Sequence, residues 1–144
     1  VNFNAGTLGA VMVEGRISSS AVVGAGSDVG GGASILGVLS GTDGVPVCIG
    51  KNTLLGTNSW TGTAIGDGSI LDADVTILPG TKIALSEKAV AALKEINPTK
   101  EITTVMKGSD FQGVNGVHFR VNSSNGQTIA MRSTREVKLN ADLH

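Results

Sequence analysis

The sequence is poor in large and reactive side chains. Its 144 residues include one cysteine, no tyrosine and only 3% aromatic residues. A single cysteine excludes an intrachain disulfide and agrees with a reducing cytoplasm, and we interpret Cys48 as a small buried hydrophobe rather than a reactive thiol. Because large rings are scarce, the core must be built from aliphatic and small side chains, which suits a narrow and repetitive interior.

An excess of charge and a long apolar run are also missing. The chain has 11 basic and 12 acidic residues, so it lacks the basic footprint of a nucleic-acid-binding protein. No apolar run approaches the roughly 20 residues that span a bilayer, and no signal peptide is visible. We expect a cytoplasmic protein without nucleic-acid or membrane partners. Since the chain begins at Val1 inside patterned sequence, we also expect it to be a piece of a longer protein.

Glycine is abundant, with 21 residues, and it belongs to a repeat of six. Aliphatic residues recur at Val11, Ile17, Val23, Val29 and Ile35, again at Ile49 and Leu55, and again at Ile65, Leu71, Ile77 and Ile83. Glycine often follows the aliphatic residue, as at Gly24, Gly30, Gly50, Gly56 and Gly66. Four positions after the aliphatic residue stands a small or β-branched one, namely Ser27, Ala33, Thr53, Ser59, Ser69, Val75 or Thr81.

This hexapeptide pattern predicts a mainly β protein, a left-handed parallel β-helix over residues 1–84. Each unit supplies a short strand and a turn, and three units make one triangular coil whose aliphatic residues stack inside. Glycine is expected to supply the backbone freedom that tight corners need. A β-sandwich would show a period of two, and a flexible linker would not hold regularly spaced aliphatics.

Departures from the period predict further features. The longer spacing between Ile35 and Ile49 predicts a loop at 40–47, and the shorter spacing between Leu55 and Ile65 marks a second irregularity. After Ile83 the pattern stops, and residues 85–144 are expected to form a C-terminal extension. There Ser86 can cap a helix that ends near Ile96 and covers the end of the solenoid or packs on a neighbouring subunit. Short strands are predicted at 101–107, 117–121, 127–132 and 136–139, with a hairpin turn at 123–126.

Hexapeptide β-helices include acyltransferases, sugar-nucleotide enzymes, γ-class carbonic anhydrases and proteins without catalysis, so residues must decide the function. A carbonic anhydrase of this class needs three histidines as zinc ligands. This chain has two, His118 and His144, which we expect to lie outside the coils. No other spacing supports a metal site, and we predict no metal.

Several segments are more specific than the repeat. They include MVEGRIS at 12–18, the glycine-rich stretch at 26–41, LLGTNS at 54–59, FRVNS at 119–123 and the final residues 139–144. Together they resemble the second, longer type of tetrahydrodipicolinate N-succinyltransferase over nearly the whole chain. The resemblance implies the C-terminal part of that enzyme, without its N-terminal domain and first coils.

The resemblance implies transfer of a succinyl group from succinyl-CoA to the amine of ring-opened tetrahydrodipicolinate, in diaminopimelate and lysine biosynthesis. It implies a homotrimer with active sites between subunits. Glu14 matches the catalytic glutamate, which acts as a base or forms a transient acyl-anhydride. Gly37 matches the residue whose backbone N–H stabilises the oxyanion, although it is also interpretable as a corner glycine.

The resemblance also implies a set of residues that contact the CoA substrate: Arg16, Gly31, Ser34, Thr57, Asp72, Ala73, Gly80, Lys107, Arg120 and Ser123. Lys107 and Arg120 are expected to meet phosphates. Thr57 and Asp72 depart from the alanine and glutamate that the family more often has, and Val121 stands where a second arginine is common. Two alternatives stay open, namely another CoA-dependent hexapeptide acyltransferase and a non-catalytic β-helical assembly domain.

Overall fold

The protein, seen in a computed structural model that describes residues 6–18, 20–37 and 47–133, is a left-handed β-helix with a C-terminal cap. Each coil is built from short strands that lie on three flat faces. Face A contains β1 (Gly6–Thr7), β4 (Val22–Val23) and β7 (Cys48–Ile49). Face B contains β2 (Met12–Val13), β5 (Asp28–Val29), β8 (Leu54–Leu55) and β10 (Ile70–Leu71). Face C contains β3 (Arg16–Ile17), β6 (Ser34–Ile35), β9 (Trp60–Thr61) and β11 (Thr76–Ile77).

The strands pair in parallel with their counterparts one coil along, so the repeated aliphatic residues stack inside. Val23 pairs with Ile49 on face A, and Val29 pairs with Leu55 on face B. The stacked residues Val23, Val29, Ile35, Ile49, Leu55, Ile65, Leu71, Ile77 and Ile83 are all buried. Their burial confirms the hexapeptide prediction and supplies the core, because no coil can bury its own apolar face alone.

The first coil departs from the predicted phase. Val13 pairs with Val29 and Ile17 with Ile35, so Val13 rather than Val11 occupies the stacking position. Val11 instead falls level with the buried Ser27, at the place that small residues fill in the other coils. Val11 still packs against the core, but the phase predicted for it was wrong, because the corner between Val13 and Ile17 is shorter than a full repeat.

The second irregularity is also a shortened corner. Thr61 takes the inward place on β9 between Ile35 and Ile77, where other coils carry an aliphatic residue. Its hydroxyl donates a hydrogen bond to the carbonyl oxygen of Thr63 at 2.8 Å. Satisfied in this way, a threonine can be buried inside the coil.

Cys48 is exposed, so its interpretation as a buried hydrophobe was wrong. On β7 the next residue, Ile49, fills the inward position, and alternate residues of a strand point to opposite faces. Cys48 therefore points outward, paired with Val22 of the neighbouring coil.

The C-terminal region closes the end of the β-helix. It contains β12 (Lys82–Ala84), α1 (Glu87–Ile96), β13 (Val105–Lys107), a 3-10 turn (Gly108–Phe111), β14 (Val117–Val121) and β15 (Thr128–Arg132). The β14–β15 hairpin is inserted between β10 and β12 and extends face B, so that β14 lies parallel to β10. The predicted strand at 101–107 begins only at Val105, while the predicted strand at 136–139 and all but the last residue of the predicted loop at 40–47 lie outside the described residues.

Helix α1 begins as the sequence predicted and covers the core. Ser86 is its N-cap, and the Ser86 Oγ accepts a hydrogen bond from the Ala89 N–H at 3.1 Å. Leu93 is fully buried in the cluster that contains the coil aliphatics, and α1 packs against β15. No helix in the described part of the chain is long and apolar enough to cross a membrane.

A buried asparagine joins this cap to the coils. The side-chain amide of Asn97 donates to the carbonyl oxygens of Leu93 at 2.9 Å and Asn115 at 3.0 Å. Its Oδ1 accepts from the Asn115 N–H at 2.8 Å. The side chain of Asn115 in turn accepts from the Asp67 N–H at 2.9 Å, which ties the network to a coil corner.

Candidate functional site

The corner between faces B and C gathers most of the predicted site residues in or beside one column. Strand pairing places Glu14, Gly30, Gly56 and Asp72 level with one another in successive coils. Gly31, Thr57 and Ala73 are the next residues in the chain after Gly30, Gly56 and Asp72. Neighbouring strands lie about 4.8 Å apart, and three such steps separate β2 from β10, so Asp72 lies roughly 14 Å from Glu14.

At the lower end of the column, Glu14 lies over Gly31. A Cβ built on Gly31 would stand 3.8 Å from the Glu14 Oε2, and no other heavy atom outside its chain neighbours comes within 4 Å. The Glu14 carbonyl oxygen accepts a hydrogen bond from the Gly32 N–H at 3.3 Å. The side chain of Glu14 is exposed in the single chain, with open space above the glycine.

The sequence fixes this exposed carboxylate at a tight corner. A Cβ on Gly15 would collide with the carbonyl oxygen of Ala33, so only glycine permits the shortened turn that follows Glu14. The corresponding corner of the next coil, between Val29 and Ile35, has the ordinary length.

The other column glycines are required by close approach of the backbone. A Cβ on Gly30 would stand 2.7 Å from the Leu55 carbonyl oxygen, and one on Gly56 would stand 2.7 Å from that of Leu71. Their φ angles are not left-handed, which corrects the expectation that these glycines supply backbone freedom. Left-handed angles occur two positions later, where Asn58 has φ 56° and Asp74 has φ 64°.

Backbone hydrogen bonds make this corner continuous. The Asn58 N–H donates to the Gly31 carbonyl oxygen and the Asp74 N–H donates to the Thr57 carbonyl oxygen, each at 3.0 Å. Thr57 and Ala73 are exposed along the resulting edge. The corner is thus a continuous, narrow edge of backbone and small side chains. A charged residue lies at each end of it, Glu14 at one and Asp72 at the other.

Arg16 and Ser34 lie beside the lower end, on face C. They pair in register on β3 and β6, with Arg16 exposed and Ser34 buried. No ion pair involves Arg16 within residues 6–18, 20–37 and 47–133, so its guanidinium is available for an anionic ligand.

At the upper end, Asp72 is bound by two side chains of β14. The Asp72 Oδ1 lies 2.6 Å from the His118 Nε2, and the Asp72 Oδ2 lies 3.3 Å from the Arg120 Nε. The Asp72 N–H already donates to the Phe119 carbonyl oxygen at 3.1 Å. Asp72 thus holds His118 and Arg120 in place, and its own backbone donor is occupied.

His118 was missed as a site residue because strand β14 was expected to lie apart from the coils. The alternation at 117–121 carried a usable signal, since Val117 and Phe119 are buried while His118 and Arg120 point outward. What the sequence does not show is the pairing of β14 with β10, which brings His118 next to Asp72.

The remaining predicted residues are not brought to this column. Gly37 follows β6 at the beginning of the connection from face C to face A, which is a different corner of the β-helix. Gly80 is exposed in the turn after β11, Lys107 ends β13 at the far edge of face B, and Ser123 lies in the hairpin turn. Within the part of the chain that the structure describes, no three His, Cys, Asp or Glu side chains converge on a possible metal position.

Comparison with known proteins identifies relatives of the whole chain. The family described as the hexapeptide repeat of succinyl-transferase matches residues 46–79. A protein from Sulfurovum sp., named 2,3,4,5-tetrahydropyridine-2,6-dicarboxylate N-succinyltransferase, is 65% identical over 100% of this chain and 37% of its own length. One of the same name from Helicobacter pylori is 56% identical over 100% of this chain and 36% of its own length.

A solved structure agrees with these sequence relatives. The Campylobacter jejuni protein, described as a 2,3,4,5-tetrahydropyridine-2-carboxylate N-succinyltransferase, superposes with a TM-score of 0.87 at 53% identity. The superposition covers 96% of this chain and 36% of that one. The chain therefore spans about 37% of the length of its curated relatives.

Proposed function

We propose that this chain, which is homologous over its whole length to tetrahydrodipicolinate N-succinyltransferases, carries the β-helical acyl-transfer part of such an enzyme. The reaction moves the succinyl group of succinyl-CoA to the amine of ring-opened tetrahydrodipicolinate, a step of diaminopimelate and lysine biosynthesis. Residues 1–84 would form the catalytic β-helix and 85–144 its extension. Because the substrates are polar metabolites, we place the protein in the cytoplasm.

The observation that carries the proposal is the column at the corner of faces B and C. It has an exposed carboxylate, Glu14, at one end and a guanidinium, Arg120, held by Asp72 at the other. Between them run small residues with little side-chain bulk, such as Gly31 and Ala73. An acyl-CoA has the same layout, with its reactive thioester and its phosphates at opposite ends of a long thin arm.

Two chemical roles for Glu14 fit this geometry. As a general base, its carboxylate removes a proton from the amine as nitrogen attacks the thioester carbonyl, and the proton then passes to the departing CoA sulfur. As a nucleophile, a Glu14 oxygen attacks the same carbonyl, releases CoA and forms an anhydride that the amine opens. A buried carboxylate is the better general base. Because Glu14 is exposed in the single chain, the base role would require a neighbouring subunit to cover it.

The separation of Glu14 from Gly37 supports a site shared between subunits. They stand at different corners of the β-helix, so the Gly37 N–H of one subunit would meet the Glu14 of its neighbour in a homotrimer. Such packing would also cover Glu14 and exclude water from the reacting thioester. The flat outer faces of the β-helix, including face A with the paired Val22 and Cys48, are suited to packing against a neighbouring subunit.

Substitution of Glu14 tests this assignment. We expect Glu14→Gln to lower CoA-thiol release from succinyl-CoA in the presence of acceptor by about 10²–10⁴-fold, because the amide neither takes the proton nor attacks the thioester. Asp74→Asn is the matched control, since Asp74 is an exposed carboxylate on the same corner and asparagine tolerates its left-handed φ of 64°. Unchanged activity in Glu14→Gln would contradict the catalytic role.

The same assay decides between the acyl donors. Succinyl-CoA is expected to be used in preference to acetyl-CoA, since the free carboxylate of the succinyl group, which acetyl lacks, can pair with a guanidinium such as that of Arg16. Mass spectrometry of protein incubated with succinyl-CoA alone separates the two roles of Glu14. A succinyl adduct on Glu14 supports the anhydride, whereas its absence from protein that turns over once acceptor is added supports the base.

A further inference from the structure

We propose that His118 is a phosphate-binding residue at the upper end of this column, positioned by Asp72 and acting together with Arg120. The inference rests on the proposed use of an acyl-CoA. It adds a contact to the nucleotide phosphates of that donor.

The hydrogen bond between His118 and Asp72 leaves one ring nitrogen for a ligand. An ionised carboxylate only accepts hydrogen bonds, so the 2.6 Å contact from the Asp72 Oδ1 assigns a hydrogen to the His118 Nε2. The Nδ1 is then a hydrogen-bond acceptor in the neutral ring and a donor in the charged ring. The ring is held in one orientation, and its side chain keeps 24% of its surface exposed.

Asp72 also orients the second donor group. The Arg120 Nε lies 3.3 Å from the Asp72 Oδ2, which leaves both terminal amino groups of the guanidinium free to form a paired contact with phosphate. The carboxylate and guanidinium cancel in charge. The cluster is therefore neutral with a neutral histidine and carries one positive charge when the ring is protonated.

Among the described residues, the register partners of His118 on the packed strands are both apolar, Ile70 on β10 and Met131 on β15. The charged groups around it are Asp72, from the turn after β10, and Arg120, from its own strand. The charged form of the His118 ring thus offers a phosphate one positive charge and the N–H of Nδ1.

The distance to Glu14 excludes a role in proton transfer at the thioester. A general base must reach the proton it removes at hydrogen-bond distance. Asp72 lies roughly 14 Å from Glu14 by the strand spacing, and His118 lies one strand further along. With the reacting end of the donor at Glu14, the cluster meets the nucleotide end.

Calorimetric binding of three probes to the complete chain and to its His118→Gln variant tests the proposal. CoA has a diphosphate and a 3′-phosphate, dephospho-CoA retains only the diphosphate, and pantetheine has no phosphate. We expect His118→Gln to weaken CoA binding roughly tenfold, in keeping with the loss of one hydrogen bond to a charged group. A loss shared by dephospho-CoA assigns the contact to the diphosphate, and a loss confined to CoA assigns it to the 3′-phosphate.

The variant His118→Gln isolates the phosphate contact from the contact with Asp72. Its amide nitrogen can still donate to Asp72, while the amide oxygen only accepts hydrogen bonds and cannot replace a ring N–H that faces a phosphate. Arg120→Gln should also weaken CoA binding. Its matched control is Arg132→Gln, because Arg132 lies on the same hairpin but pairs with Glu95 at 2.9 Å.

The outcomes separate this inference from the proposed function. CoA affinity that is unchanged in His118→Gln overturns the role of His118 and leaves acyl transfer standing. An equal loss of pantetheine binding also overturns it, since that probe has no phosphate. Failure of the unmodified chain to bind CoA contradicts both.

Discussion

The buried serine hydroxyl groups inside the β-helix differ in whether they form a hydrogen bond. The Ser69 Oγ accepts a hydrogen bond from the Val117 N–H at 3.1 Å, so it joins a coil to the inserted hairpin. The Ser59 Oγ is buried without a hydrogen-bond partner among the described residues. Strand pairing places Ser59 level with Ala33 and Val75, two apolar residues. A serine is small enough for this corner, but burial removes its hydroxyl from water without giving it a hydrogen bond in return.

We therefore expect Ser59→Ala to raise the free energy of unfolding by about 1 kcal/mol, because it removes a buried unpaired hydroxyl and keeps the small size. Urea denaturation at a fixed protein concentration measures the change. The control is Ser69→Ala, which leaves the Val117 N–H without its partner and should lower stability by about 1–3 kcal/mol. Destabilisation by Ser59→Ala would mean that its hydroxyl is paired in solution.

At the scale of the element, the corners are set by glycines that admit the backbone of the next coil. The spacing of aliphatic residues was enough to predict the strands, because a stacked interior leaves its period in the sequence. It could not reveal the short corner after Val13, since Val11 is also aliphatic and keeps the period of six by coincidence. The inserted hairpin also left no periodic signal, because its pairing with β10 joins residues distant in sequence.

The corner glycines give a prediction of their own. Gly56→Ala should lower the free energy of unfolding by about 1–3 kcal/mol, because the new methyl group would press on the Leu71 carbonyl and the Ala73 nitrogen, each at 2.7 Å. Gly80→Ala is the control, since a Cβ there meets nothing within 4 Å, and its effect should stay within about 0.5 kcal/mol. Thermal or urea denaturation compares the two, and equal effects would contradict the role of close approach.

At the scale of the whole molecule, aromatic residues are absent from the described coils apart from Trp60 and gather at the cap. The rings of Phe111 and Phe119 meet edge to face at 5.0 Å, and both are buried. The narrow interior of the coils has no room for such rings, whereas the end of the solenoid must be closed by wider side chains. The low aromatic content therefore predicted the coils, and it did not predict how they end.

The asparagine network makes the cap and coils one cooperative unit. We expect Asn97→Ala to lower stability by about 2–4 kcal/mol, because it removes the bonds from Asn97 to Leu93 and Asn115 and leaves buried backbone groups unpaired. Hydrogen exchange should then become faster in α1 than in the coils. Asn125→Ala, at an exposed turn, is the control and should change stability by less than about 1 kcal/mol. Uniform faster exchange would argue against a role confined to the junction.

The insertion of the hairpin between β10 and β12 also has a consequence for the order of synthesis. Strand β12 pairs with β13 and β15, and both of these partners follow it in the chain. When residue 84 has just been added to the growing chain, the strands that will pair with β12 have not yet been synthesised. The end of face B stays open until the hairpin has been made, so its closure should be a late step of folding during translation.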